Sequence, residues 1–258
     1  MAFNLARNRL LEALRDEVRA IEGGHVKAGG GAMPFGIPAI DGRLAGGGLA
    51  AAALHEIAPA GAGLGDDAAA TLFLAGIAAR RSAPTGGIVL WALTRRDLFA
   101  PGLALAGLPP ERLLHAECGH DEDVLAVMEE GLRGGGLAAV VGEIGRIPMA
   151  AARRLQLAAE EGGVTALMLR RWRRSGEDPL ALPSAAATRW RIACLPSAPL
   201  PAPGVGRPCW RLDLVRQRGG EPCQWIVEGN DETGRLALSA ESRHRSDSAD
   251  RADSRAAA

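Results

Sequence analysis

The stretch Gly61-Ala62-Gly63-Leu64-Gly65 follows a short apolar run and leads through Asp66-Asp67 into a helical pattern. Glycine-rich loops in this setting cradle phosphates. Backbone N–H groups at a helix N-terminus point at the anion, and a lysine beside the last glycine reaches the β- and γ-phosphates. Here two aspartates stand where that lysine and its hydroxyl neighbour belong. Lys27, the one lysine in the 258-residue chain, lies far upstream. Carboxylates have the wrong sign for a triphosphate. Gly61, Gly63, Gly65, Asp66 and Asp67 therefore read as a degenerate phosphate loop with no cofactor expected, and Asp66 as a helix cap.

Arg170-Arg171-Trp172-Arg173-Arg174 is the strongest local basic run, set at the end of a strand-like segment. Ligands of open α/β sheets bind at such strand ends. Arginines around one aromatic can contact phosphates and stack on a base. They equally suit a protein-docking surface or a plain solvated loop. These five are the candidate DNA- or partner-binding residues. Their side chains are expected to be largely solvated, so that replacing the four arginines leaves the fold intact. His115, Cys118 and His120, followed by Asp121-Glu122-Asp123, match no standard zinc spacing. The carboxylates more simply favour a helix N-terminus. His55-Glu56 lacks the second histidine of a zincin helix. No metal and no catalytic residue is expected.

The elements that must position these residues alternate from Phe35 to Leu169. Leu54–Ile57, Ile88–Leu93, Leu113–Ala116, Leu137–Val141 and Val164–Leu169 read as strands. Helical patterns start near Asp66, Asp121 and Met149, and Gly134-Gly135-Gly136 and Gly162-Gly163 end the last two. Near-continuous apolar strands separated by helices predict a parallel sheet covered on both faces. After Trp172, Arg189–Leu195, Cys209–Arg216, Gln224–Glu228 and Arg235–Leu238 read as strands of an antiparallel extension from about residue 185. Trp210, Leu212 and Leu214 alternate with Arg211 and Asp213. Trp190, Trp210 and Trp225, one per strand, read as sheet packing. Upstream, Leu11, Leu14, Val18 and Ile21 mark one face of an amphipathic helix over about residues 3–22. The expected division is a helix and linker at 1–32, a core at 33–240 and a disordered tail at 241–258 with alanine as its one apolar residue type.

Bulk properties narrow the function class. Lys plus Arg and Asp plus Glu each total 30, so the overall field favours neither nucleic acid nor membrane. Four separated cysteines form no CxxC pair, which argues against a zinc ribbon or disulfide framework. No apolar run approaches the roughly 18 residues of a membrane span. A cytoplasmic protein is expected.

The segment from Phe35-Gly36-Ile37-Pro38 through Asp41, Gly46-Gly47-Gly48-Leu49 and Leu54-His55-Glu56-Ile57 resembles the entry to a RecA-family core. More closely, the chain resembles the ImuA family, RecA/SulA-like proteins of bacterial SOS mutagenesis cassettes. The matching stretches include Arg95 to Leu103, Met128 to Leu132, Val140 to Arg146, Arg153 to Glu160 and Leu182 to Arg191. The resemblance runs from about Phe35 to Leu238. It implies a RecA-like α/β core with a mostly parallel sheet, an N-terminal helix and C-terminal antiparallel strands. Its catalytic parts are altered here. Leu93-Thr94 occupy the place of a water-activating glutamate, and Gly142 follows Val140-Val141 where a Mg²⁺-binding aspartate is due, with Glu143 one place later. The resemblance implies a non-catalytic accessory factor for error-prone translesion synthesis. The implied partners are an ImuB-like Y-family polymerase homologue, a DnaE-type error-prone polymerase and RecA, with DNA contacted mainly through them. Two other readings stay open: a SulA-like cell-division inhibitor binding FtsZ, and a weak DNA-dependent ATPase.

Overall fold

A computed structural model describes residues 31–172, 176–200, 204 and 206–239. The expected N-terminal helix and the tail lie outside these residues, as do Arg173 and Arg174. The chain enters through β1 (Ala32–Met33), α1 (Pro38–Asp41) and β2 (Leu49–Ala50), with β1 and β2 forming a small antiparallel ribbon. The spacing of the entry motif has a local cause. The Asp41 carboxylate accepts hydrogen bonds from the backbone N–H groups of Phe35, Gly36 and Ile37 at 2.6, 2.8 and 3.0 Å. Gly36 turns the chain there at φ 77°, a conformation that costs glycine little.

The core follows as β3 (Leu54–Pro59), α2 (Leu64–Ser82), β4 (Val89–Leu93), α3 (Ala100–Leu105), β5 (Leu113–Glu117), α4 (Asp121–Gly134), β6 (Ala139–Ile144), α5 (Met149–Gly162) and β7 (Thr165–Arg170). It continues in β8 (Thr188–Leu195), β9 (Cys209–Gln217), β10 (Cys223–Glu228) and β11 (Ala237–Leu238). These strands form one nine-stranded sheet in the order β11-β10-β9-β8-β3-β7-β6-β4-β5. The expected alternation is present. One boundary differs: β8 runs parallel to β3, so the antiparallel part begins only at β9. The long segment between β7 and β8 carries the chain back across the sheet, a connection that parallel pairing requires.

Every residue of β3, β4, β6 and β7 is buried, because both faces of the sheet are covered. One face packs Ile57, Trp91, Val141, Leu169 and Trp190 against Phe73, Leu74 and Ile77 of α2. Phe73 and Trp190 lie 5.6 Å apart, ring centre to ring centre. Trp190 and Trp210 are fully buried and Trp225 lies 6.1 Å from Trp190, so the three tryptophans do pack the sheet. The other face packs Leu54, Val140, Ile144 and Met168 against Val124, Met128 and Leu132 of α4 and Leu155 of α5.

The two helices of that second face meet backbone to backbone at Gly162. A Cβ added there would lie 1.9 Å from the Leu132 carbonyl oxygen. Because the obstacle is main chain, Gly162→Ala is expected to lower stability by about 2–3 kcal/mol through forced separation of α4 and α5. Urea denaturation checks this, and a change below about 0.5 kcal/mol would show that the contact relaxes freely.

Candidate functional site

The glycine-rich segment 61–67 lies between β3 and α2, at the carboxyl end of the parallel strands. Gly63 precedes the first helical residue, and Leu64 is 87 % exposed at the tip. The helix therefore starts two residues before Asp66, which is not its cap. Asp66 instead accepts the backbone N–H of Cys194 on β8 at 2.7 Å. Asp67 sits in the first turn and is ion-paired with Arg171.

Arg170 and Arg171 contradict the expected solvated loop. Arg170 is the last residue of β7 and only 2 % exposed, and Arg171 is 8 % exposed. Successive strand residues point to opposite faces, so the two guanidinium groups serve different sides of the sheet. On the α4–α5 side, Arg170 Nη1 lies 3.2 Å from Glu56 Oε2, and Arg189 Nε on β8 donates to the same oxygen at 3.0 Å. Ser184 donates to Glu56 Oε1, and Arg170 also donates to the Gly145 carbonyl at 3.2 and 3.3 Å. Burial pulls the Arg170 guanidinium below its ordinary pKa, with Glu56 opposing.

On the α2 side, Arg171 Nε and Nη2 donate to Glu143 Oε2 at 2.9 and 2.8 Å. Arg171 Nη1 donates to Asp67. The Trp91 indole N–H donates to the other Glu143 oxygen at 2.7 Å. Burial pushes the Glu143 carboxyl above its ordinary range, and Arg171 and Trp91 pull it back. For Arg171, burial opposes the charge, but Glu143 and Asp67 hold its pKa above the ordinary value. Trp172 is half-buried, and its indole N–H donates to the Pro59 carbonyl at 3.0 Å. A cleft of about 280 Å³ opens beside this network, lined by Thr94, Arg95, Glu143, Gly145, Arg171 and Trp172.

The structure thus brings together Asp67, Glu143, Arg171 and Trp172, and places Arg170 in a separate network with Glu56. Glu56, Ser184 and Arg189 were not singled out from the sequence as members of a site. The signal for Glu56 was a charged residue inside the apolar run Leu54–Ile57, since a buried carboxylate demands a cation. His115 is exposed on edge strand β5, and His120 precedes α4 with its N–H donating to Asp123 at 3.0 Å. Among the described residues no group of three or more His, Cys, Asp or Glu is placed to hold a metal ion. No helix among them is long and apolar enough to cross a membrane.

Sheet order, parallel core and antiparallel extension define a RecA-like domain. Consistent with this, the chain is similar in fold to the RadB recombinase, with a TM-score of 0.51 and 17 % identity, over 78 % of this chain and 97 % of that one. No protein-family model matches the chain. Protein ImuA of Caulobacter vibrioides strain NA1000 / CB15N is 40 % identical over 210 residues, 77 % of this chain and 84 % of the relative. Protein ImuA of Caulobacter vibrioides strain ATCC 19089 / CIP 103742 / CB 15 matches with the same figures. The chain belongs to the ImuA family.

Proposed function

We propose that this chain is a non-catalytic accessory protein of SOS-induced, error-prone translesion synthesis. In this reading it acts as a rigid adaptor for an ImuB-like Y-family polymerase homologue, a DnaE-type error-prone polymerase and RecA. ImuA-family membership supports the setting. The absence of catalysis rests on one observation: Asp67, in the turn that should face a triphosphate, is ion-paired with Arg171. The residues do not fit nucleotide and Mg²⁺. A lysine is missing, Asp66 and Asp67 have the wrong sign, and Glu143 is already bonded to Arg171 and Trp91.

Burial removes Arg170 and Arg171 from the candidate docking surface. Trp172 remains on it in this proposal, together with Arg173 and Arg174. Replacing Arg173 and Arg174 is expected to weaken capture of the polymerase partners, or of single-stranded DNA, without lowering Tm. Contact with DNA phosphates would flatten the log–log salt dependence by about 0.7 per arginine lost. A protein contact anchored by Trp172 would respond weakly to salt and lose about 2 kcal/mol or more in Trp172→Ala. If neither loss is seen, this segment drops out of the proposal.

The nucleotide part is tested by calorimetry of the purified chain with Mg·ATP. No binding heat is expected up to about 1 mM, and no steady-state phosphate release. Saturable binding at micromolar ATP would overturn the reading. The adaptor part is tested by affinity capture from DNA-damaged cells followed by mass spectrometry. Recovery of FtsZ in place of the polymerase proteins would sink it.

A further inference from the structure

In phosphate-binding loops of this class, Mg²⁺ is held between a hydroxyl in the first helical turn and a carboxylate at the end of a neighbouring strand. Asp67 stands at the first of these places. Glu143, on β6, stands next to the second. The Arg171 guanidinium lies between them, with two N–H groups on Glu143 at 2.9 and 2.8 Å and a third on Asp67. Its planar fork bridges two carboxylates that would otherwise repel each other. Exposures of the Arg171, Glu143 and Asp67 side chains are 9, 3 and 25 %, so the bridge is mostly shielded from water. Trp172 adds a tie one residue on, through its indole N–H to the carbonyl of Pro59, which ends β3.

From this geometry we infer that Arg171 is a built-in substitute for the metal–phosphate group. It is a permanent internal counter-ion that clamps the first turn of α2 to the end of β6. Together, Arg171 and Trp172 set the start of the segment leaving β7 through protein contacts alone. A nucleotide therefore does not switch this end of the sheet. The inference deepens the non-catalytic reading and rests on it. An incoming triphosphate would have to displace a guanidinium already bonded to two carboxylates, and would then face both carboxylates unmasked.

The test compares Arg171→Met, Arg171→Lys, Glu143→Gln and the double variant Arg171→Met/Glu143→Gln in the full chain, by thermal denaturation and hydrogen exchange. Arg171→Met should lower Tm by at least about 5 °C. It should also speed exchange of the Asp67 to Thr71 amides by about tenfold or more. The double variant should recover part of the loss, because removing the Glu143 charge removes the uncompensated partner. If Arg171→Met does not fold, Arg171→Lys supplies the same comparison, since one ammonium cannot span both carboxylates. Additive losses, or unchanged exchange in the first turn of α2, would overturn the inference. Protection of Asp67 to Thr71 by Mg·ATP in the unaltered chain, with non-additive losses, would instead overturn the nucleotide-free reading while leaving the clamp intact.

Discussion

Glu56→Ala is expected to cost about 3–5 kcal/mol of folding stability, a fall in Tm on the order of 10 °C for a domain of this size. Glu56 is fully buried in β3 and carries the anionic side of a network with two cations. Arg170 and Arg189 reach the same Oε2 from the strands on either side of β3, so one carboxylate ties three neighbouring strands. Removing it strands two guanidinium groups where water cannot replace the lost partner, and also leaves the Ser184 hydroxyl without its acceptor. Glu56→Gln keeps the shape but not the charge, and should recover only the part carried by the hydrogen bonds. Urea denaturation of Glu56→Ala, Arg170→Met and the double variant isolates the coupling. A loss below about 1 kcal/mol in Glu56→Ala would mean that the cations relax to solvent and the network contributes little.

This expectation inverts what the arginine run suggests when read as sequence. Val164 to Leu169 is legible as a strand because its residues are mostly apolar, and that pattern stops where the charge begins. The backbone continues through Arg170, and strand alternation sends Arg170 and Arg171 to opposite faces. Their partners are distant in sequence. Glu56 precedes Arg170 by more than a hundred positions, and Asp67 is equally remote from Arg171, so no local spacing announces either pair. The strands, the helices ended by glycine and the alternating β9 were readable because their causes are local. The parallel pairing of β8 was not, since an isolated strand carries no mark of its neighbour's direction. The departure of segment 61–67 from a phosphate-binding pattern was legible, because Asp66-Asp67 and the lack of a nearby lysine are local features. The ion pairs of Arg171 with Asp67 and Glu143 depend on a contact between loop, sheet and helix that only the fold supplies.

The same non-local logic governs His55. Its ring is fully buried in β3, where Nε2 donates to the Ala50 carbonyl at 2.8 Å and Nδ1 meets the Thr188 hydroxyl at 2.7 Å. The Trp190 indole N–H donates to that hydroxyl at 2.7 Å. The Thr188 proton is therefore directed to Nδ1, and the ring is neutral with its own proton on Nε2. Burial disfavours the charged ring and lowers its pKa from the ordinary 6.5 to about 4, although the Ala50 contact pulls upward. As pH falls, the unfolded chain takes up this proton first. Stability is then complete above about pH 6.5 and is lost as pH drops toward 4. That lowering corresponds to about 3 kcal/mol at the acid end, and about 2 kcal/mol is already lost by pH 5. His55→Gln cannot titrate, and its side-chain amide can still donate to the Ala50 carbonyl. It should therefore be less stable than the parent at pH 7 and lose less on acidification. Carboxylates contribute acid sensitivity to both proteins, so the informative quantity is the difference between their unfolding free energies at pH 7, 6 and 5. That difference should shrink by about 2 kcal/mol across the series. Parallel pH profiles would show that the His55 ring titrates in the folded chain as it does in the unfolded one, and an opposite trend would show that it is charged when folded.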